Sequence, residues 1–227
     1  MKYARRLIAT WVLGSIAPLS SQAAAVPFTE DFTASVSNWA DNSGLSLLTH
    51  APAGGPDGGG YTSTTTSLFG LGGDSIVLFR GQDEFNSSNG AFEGNWIAQD
   101  INHFSAQVRH SAPMPLNFFA RFSGPANFPG GTAVRFIPVL PNTWTQMSFN
   151  IDPSNPAFVT FEDMTFGDVF VDVGHVQIGV SVPAALGASM SQFTFGLDKI
   201  SIAVPEPPTL TATFAAGLLL VSRCRRK

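Results

Sequence analysis

Two acidic residues lie at positions where a carboxylate could bind a cation. Asp198 falls within the apolar segment Phe195–Ile202, where a buried carboxylate is unfavourable unless it is paired or binds a metal. Asp57 lies in a glycine-rich segment, residues 53–60. Calcium takes about six to eight oxygen ligands from carboxylates and carbonyl groups. The sequence therefore leaves two interpretations of Asp198 open: a calcium ligand, to which Asp57 could add a further ligand, or a carboxylate that faces solvent or caps a turn.

The other acidic residues and the histidines form no recognisable catalytic motif. A glycosidase needs two carboxyl groups about 5–9 Å apart across a cleft. The acids available for such a pair, all expected in solvated loops, are Asp83, Glu84, Glu162, Asp163, Asp168 and Asp172. The four histidines lack the H-E-x-x-H spacing of zinc hydrolases, and no G-x-S-x-G motif occurs. The sequence therefore predicts a protein that is not an enzyme, with a polysaccharide hydrolase as an alternative that requires two acids facing one cleft.

Aromatic side chains offer a second kind of binding chemistry, because an exposed ring can stack on a sugar ring. The candidates for such a carbohydrate-binding surface are Trp39, Tyr61 and Trp96. The competing interpretation is structural, because the chain has 20 phenylalanines and 4 tryptophans, and a core built from aromatic rings would bury these residues too. Trp144 lies in an alternating segment and is expected in the core.

Short apolar or alternating segments recur between residues 26 and 203, and most are rich in phenylalanine, valine, isoleucine or threonine, which favour strands. Clusters of glycine, proline and asparagine separate them. The predicted strands are Phe28–Thr33, Leu45–Thr49, Tyr61–Thr66, Ser75–Arg80, Trp96–Ile101, Phe104–His110, Leu116–Ser123, Thr132–Pro138, Thr143–Ile151, His175–Val182 and Phe193–Ile202. Residues 182–188 are expected to form a loop or a single helical turn. The pattern predicts one all-β domain, a two-sheet antiparallel β-sandwich of the jelly-roll type.

The charge distribution excludes one class of partner. The formal net charge is −4, but residues 26–203 carry five basic against fifteen acidic residues, and both ends of the chain are basic. This acidic body would repel a phosphate backbone and contains no basic stripe, so a nucleic acid is not expected as a partner. An acidic surface suits divalent cations or simply keeps the domain soluble.

Residues 1–25 have the pattern of a secretory signal peptide. Three basic residues within the first six precede an apolar segment at 7–19, and small residues follow at 20–25. The apolar segment is too short for a membrane-spanning helix, and cleavage after Ala23 or Ala25 fits the pattern equally well. The sequence therefore predicts export, with the Sec machinery and signal peptidase as partners.

Residues 204–227 have the pattern of a second targeting segment. It opens with the residues Val204, Pro205, Glu206 and Pro207. A stretch of 14 uncharged, mostly apolar residues at 209–222 precedes a basic cluster at 223–227. As a helix this stretch would span roughly 21 Å, which is less than the membrane core of about 30 Å. The sequence therefore predicts a short transmembrane helix whose basic end stays on the cytoplasmic side.

The Pro-Glu-Pro motif, the apolar stretch and the arginine-rich end, in this order, resemble the PEP-CTERM sorting signal of Gram-negative bacteria. The resemblance implies that the tail holds the exported protein at the inner membrane. An exosortase-type protease then cleaves near the motif and passes the protein to the cell surface or the extracellular space. Members of that family are associated with exopolysaccharide, biofilm or floc matrix. The leading hypothesis is therefore a non-enzymatic surface or extracellular-matrix protein that is an exosortase substrate.

The order of motifs between residues 28 and 203 resembles that of galactose-binding-like jelly rolls, the fold of laminin B-type domains and many carbohydrate-binding modules. The segments that carry the resemblance are Glu30–Phe32, Gly54–Tyr61, Trp96–Ile101, Trp144–Asp152 and Phe195–Ile202. The resemblance implies that the first and last strands are neighbours and share a structural calcium ion, with Asp31 and Asp198 as ligands. It also implies the alternative function, a carbohydrate-binding module for exopolysaccharide.

Overall fold

The computed structural model describes residues 26–204. The predicted signal peptide, residues 1–25, and the part of the predicted sorting signal after Val204 lie outside the described residues, so both stay predictions. Between residues 26 and 204, no helix combines the length and the apolar character needed to cross a membrane.

Strands dominate the described part of the chain. They are β1 (Phe28–Glu30), β2 (Thr49–Ala51), β3 (Tyr61–Ser67), β4 (Ser75–Gln82), β5 (His103–His110), β6 (Asn117–Ser123), β7 (Gly130–Val134), β8 (Thr145–Asn150), β9 (Phe158–Thr160), β10 (His175–Ser181) and β11 (Gln192–Ala203). The helical elements are α1 (Phe166–Phe170), α2 (Ala184–Gly187) and two 3₁₀ turns at Asp83–Phe85 and Ser87–Gly90.

The strands form two antiparallel sheets. Sheet A has the order β2-β3-β11-β5-β8, and β1 pairs with β11 as well. Sheet B has the order β4-β10-β6-β7-β9. Every strand pair in both sheets is antiparallel within the described residues. The predicted two-sheet antiparallel β-sandwich is therefore confirmed.

The core lies between the two sheets and is built largely from aromatic rings. Phe104 of sheet A and Phe122 of sheet B are both fully buried, and their ring centroids lie 5.0 Å apart, edge to face. The Trp96 ring contacts Phe122 at a centroid distance of 5.3 Å. In β8, Met147 and Phe149 are buried while Gln146, Ser148 and Asn150 are exposed, as expected for a strand with one face on the core.

The predicted strand Trp96–Ile101 is wrong, because these residues form a turn. The Asn95 side chain accepts a hydrogen bond from the N–H of Ala98 at 2.8 Å, and the N–H of Ile101 donates to the Trp96 carbonyl at 2.9 Å. A side chain that binds the local backbone in this way competes with strand pairing. Two elements, β9 and α1, were not among those predicted, whereas α2 is the expected single helical turn.

The first and last strands are neighbours. Phe28 lies opposite Ile202 and Glu30 opposite Ile200 in the β1–β11 pair. The first half of β11 pairs with β3, and its other edge pairs with β5. The last strand therefore occupies the middle of sheet A. The pairing of β1 with β11 agrees with the prediction that the first and last strands are neighbours.

Candidate functional site

A β-bulge in β11 places Asp198 on the outer face of sheet A. Phe195 and Leu197 point into the core before the bulge, and Ile200 does so after it. Lys199 has a φ of 47°, and this left-handed residue changes the face on which the following side chains lie. Because neighbouring side chains of a strand point to opposite faces, Asp198 points away from the core.

The glycine loop, residues 53–60, covers Asp198 on this outer face. Asp198 is only 1% exposed, and its Oδ1 accepts the N–H of Lys199 at 2.8 Å. A Cβ atom at Gly55 would lie 3.0 Å from Oδ2 of Asp198, and 2.8 and 3.1 Å from the carbonyl oxygens of the last two loop residues. Because glycine has no Cβ atom, these three oxygens can lie close to the space that a side chain at position 55 would occupy.

The surroundings of Asp198 disfavour its charged form. Burial raises the pKa of Asp198 to about 6, and the negative charges of Asp57 and Asp31 act in the same direction. Among residues 26–204, no lysine, arginine or histidine forms an ion pair with this carboxylate. A bound cation would offset the unfavourable burial of this charge.

Asp57 and Asp31 lie close enough to raise the pKa of Asp198, but each has its own hydrogen-bond partner. Oδ2 of Asp57 lies 2.7 Å from Nζ of Lys199, and the hydrogen bond from Lys199 lowers the pKa of Asp57. Asp31 accepts hydrogen bonds from the hydroxyl and the N–H of Thr33, which lower its pKa. The ligand atoms of the three carboxylates do not all approach within 4.8 Å of one another. The three predicted ligands therefore do not form one compact group, and Asp198 is the one that the glycine loop covers.

The oxygens around Asp198 fit the ligand preference of calcium. Calcium is bound by carboxylates and backbone carbonyls, and Asp198 with the carbonyls of Gly59 and Gly60 is a donor set of this kind. Asp31 and Asp57 would add negative charge nearby. Calcium binding at these predicted residues stays a prediction, and a bound ion would connect the glycine loop to β11.

Trp144 lies on the outer face of sheet A, just before β8, so its expected position in the core is wrong. Its ring is partly exposed, and its Nε1 donates a hydrogen bond to the Gly54 carbonyl at 2.9 Å. A Cβ atom at Gly196 would lie 2.9 Å from Cη2 of Trp144, so glycine at this position leaves room for the indole. The Tyr61 ring packs against Trp144 edge to face, with a centroid distance of 5.3 Å. We call Trp144 and Tyr61 the aromatic platform.

Trp39 and Trp96 cannot bind a sugar on the surface, and the prediction that they do so is wrong. Both are 0% exposed. Nε1 of Trp39 donates to the hydroxyl of Ser88 at 2.9 Å, and Nε1 of Trp96 donates to the Phe92 carbonyl at 3.0 Å. Their polar groups are thus satisfied inside the domain while their rings build the core. Of the three predicted residues only Tyr61 is partly exposed, and its binding role stays a prediction.

Polar side chains continue the outer face of sheet A beside the aromatic platform. Gln107 of β5 lies opposite Gln146 of β8 on one side and opposite Asp198 of β11 on the other. Arg109 lies opposite Gly196, the residue beneath the Trp144 ring. Amide and guanidinium groups donate and accept the hydrogen bonds that sugar hydroxyls make. This face therefore combines an aromatic surface with hydrogen-bonding groups.

A cavity of about 490 Å³ lies where β11 ends. Its lining is mainly aromatic and apolar, with Trp96, Phe166 and Phe170 among its residues, and Asp100 is its one carboxylate. Because a glycosidase requires two carboxyl groups, this cavity gives the hydrolase alternative no support.

No family model matches the chain, and no curated protein matches it either. Among solved structures, the Family 11 carbohydrate-binding module of cellulosomal cellulase Lic26A-Cel5E of Clostridium thermocellum is similar at 11% identity and a TM-score of 0.47, over 81% of this chain and 97% of the module. The CBM22-1 xylan-binding domain of Paenibacillus barcinonensis Xyn10C is similar at 11% identity and a TM-score of 0.44, over 82% of this chain and 99% of that domain.

A third similar structure belongs to a longer enzyme chain. The CBM22-1-GH10 modules of the Clostridium thermocellum endo-1,4-beta-D-xylanase 10B are similar at 13% identity and a TM-score of 0.46, over 79% of this chain. This chain spans only 28% of that xylanase chain.

Proposed function

We propose that residues 26–203 form a non-catalytic carbohydrate-binding module for a polysaccharide, and that the aromatic platform is its binding surface. The observation that carries the proposal is the position of Trp144, whose partly exposed indole is fixed over Gly196 by its hydrogen bond to Gly54. An exopolysaccharide of the surface matrix is the ligand that the sorting prediction favours.

The fixed position of the Trp144 ring favours binding. A ring already held in place loses little conformational freedom when a ligand stacks on it, so more of the contact energy appears as affinity. Tyr61 supports one edge of the indole, and the amides of Gln107 and Gln146 lie on the same sheet face. Such an arrangement suits a sugar chain, which has apolar ring faces and hydroxyl edges.

The glycine loop links the candidate calcium site to the aromatic platform. Its residue Gly54 accepts the hydrogen bond from Trp144, while Gly55 lies against the carboxylate of Asp198. A calcium ion at Asp198 would therefore also fix the loop that holds Trp144. We propose that polysaccharide binding is stronger with calcium than without it.

Replacing Trp144 with alanine is expected to weaken polysaccharide binding by about thirtyfold or more, because a central aromatic contact contributes at least about 2 kcal/mol. Trp144→Tyr keeps an aromatic ring and should retain much of the affinity. Binding is measured by pull-down and calorimetry with a panel that includes xylan and the exopolysaccharide of the source bacterium, in millimolar calcium.

Phe69→Ala is the matched control, because Phe69 is 54% exposed and lies outside the aromatic platform. This variant should bind as strongly as the parent protein. The proposal is refuted if the parent binds no polysaccharide of the panel, or if Trp144→Ala binds as strongly as the parent.

We further propose that the chain is exported and held transiently at the inner membrane, and that it reaches the cell surface after exosortase-type cleavage. The support is the sequence of its two ends: a signal-peptide pattern at residues 1–25 and the Pro-Glu-Pro, apolar and basic order at residues 204–227. In a strain without the processing protease, the full-length protein with its tail should accumulate in the membrane fraction. Unchanged release of a shortened protein from that strain would contradict this part of the proposal.

A further inference from the structure

A second group of candidate metal ligands lies on sheet B, between β4 and β10. Asp83 and Glu84 follow directly after β4, and His175 is the first residue of β10. Nε2 of His175 lies 3.2 Å from Oδ1 of Asp83 and 3.2 Å from Oε2 of Glu84. One ligand atom from each of the three residues lies within 4.8 Å of the other two.

The His175 imidazole is buried and has no hydrogen-bond partner among residues 26–204. Its side chain is 1% exposed, and neither Nδ1 nor Nε2 makes a hydrogen bond. The carboxylate oxygens of Asp83 and Glu84 lie near Nε2, but not in hydrogen-bond geometry. A buried polar atom without a partner is unfavourable, and native structures usually satisfy it with a protein group, a water or an ion. Nε2 therefore indicates a ligand between the imidazole and the two carboxylates.

Glu93 lies near this group but is not one of its three candidate ligands, which are Asp83, Glu84 and His175. Its Oε1 is buried without a hydrogen-bond partner, and burial, followed by the charges of Asp83 and Glu84, raises its pKa. Reciprocal backbone hydrogen bonds of 2.7 and 2.9 Å between Gly94 and Val173 fix the neighbouring backbone. No lysine or arginine in the described range forms an ion pair with any of the three carboxylates. The basic side chain paired with Asp83 and Glu84 there is the imidazole of His175.

The distances between the candidate ligand atoms, and the chemical types of these atoms, favour one class of metal ion. Zinc bonds to nitrogen and oxygen are about 2.0–2.2 Å long, which puts tetrahedral ligand atoms about 3.3–3.6 Å apart. The 3.2 Å separations around Nε2 are close to this range. An imidazole among carboxylates suits zinc or a similar transition-metal ion better than calcium, which prefers oxygen ligands. The side chains of Asp83 and Glu84 are 26% and 54% exposed, so an ion can reach the cluster from solvent.

We propose that Asp83, Glu84 and His175 bind a divalent transition-metal ion of the zinc type. The ion would connect the residues that follow β4 to the start of β10. The ion would stabilise one end of sheet B, whereas Asp198 and the aromatic platform lie on sheet A. The inference is independent of carbohydrate binding, because none of its residues belongs to that surface.

Calorimetric titration of the chelator-treated full chain with zinc tests the inference. All proteins carry Cys224→Ser, so that a thiol cannot bind the metal. We expect a site that takes one zinc ion, with a Tm about 5–10 °C higher at a hundredfold excess over Kd. Glu84→Gln, which keeps the size of an exposed side chain, should weaken zinc binding at least about tenfold. The double variant Asp83→Asn, Glu84→Gln should lose this site.

His103→Ala is the control, because His103 is a partly buried histidine of sheet A that contacts Ser148. It should bind zinc with the affinity of the parent. Circular dichroism of the metal-free variants verifies that each one folds. A parent protein that binds no zinc, or a folded double variant with unchanged zinc affinity, would overturn the inference.

Discussion

Replacing Trp39 with alanine is expected to lower the free energy of unfolding by about 3–5 kcal/mol. The indole is fully buried, with its ring centroid 6.0 Å from that of Phe32 and 5.9 Å from that of Phe92. Alanine would leave a cavity in this aromatic cluster and would remove the hydrogen bond to Ser88. Since domains are stable by only about 5–15 kcal/mol, the loss should be large in urea denaturation.

Two further variants distinguish the stability lost by emptying a buried site from the stability lost by removing an aromatic ring. Trp39→Phe keeps most of the ring volume and should lose much less stability than Trp39→Ala. Trp144→Ala removes a partly exposed ring and should have only a small effect on unfolding, although it removes the proposed binding contact. If the two alanine variants were equally unstable, the assignment of Trp39 to the core and Trp144 to the surface would be wrong.

Calcium is expected to raise the Tm of the chelator-treated full chain by about 5–10 °C at a hundredfold excess over Kd, because it binds the folded state alone. The ion would stabilise the buried charge of Asp198, whose pKa burial raises to about 6. Asp198→Asn keeps the shape of the side chain but removes its charge, so this variant should show no calcium shift. Scanning calorimetry measures both values.

Asp152→Asn is the matched control for the calcium experiment. Like Asp31, Asp152 accepts hydrogen bonds from the N–H and hydroxyl of the residue two positions later, here Ser154, but it lies away from the glycine loop. This variant should keep the full calcium shift. A parent protein without a shift, or an equal shift in Asp198→Asn, would exclude the site at Asp198.

Most strands could be predicted because each carries its own local pattern. In β5 and β6, apolar residues alternate with polar ones or form short apolar runs, and both patterns are visible in the sequence. The predicted strand Leu45–Thr49 is displaced, since β2 occupies Thr49–Ala51. The Asp41 side chain accepts the N–H of Ser43 at 2.9 Å and forms a turn, which leaves Leu45 90% exposed. Such local side-chain hydrogen bonds override strand propensity.

The site was harder to predict, because its residues come from distant parts of the chain. Whether Trp144 is buried depends on Gly196, which lies two strands away across sheet A. The outward position of Asp198 does have a signal in the sequence. Apolar residues of β11 occupy odd positions up to Leu197 and even positions from Ile200, and this change of phase marks the bulge. The approach of His175 to Asp83 and Glu84 has no local signal, because it depends on the pairing of β4 with β10.

The central position of β11 in sheet A affects when the domain can fold. Among the strands of residues 26–204, β1 pairs with β11 alone, and β11 also fills one edge of β3 and one edge of β5. On the export route proposed above, the chain crosses the membrane N-terminus first, so β11 arrives after all the strands that pair with it. On that route, the sandwich would form only after β11 has crossed the membrane. The long sequence separation of these pairs also predicts slow folding, and the waiting strands are open to proteases and chaperones in that interval.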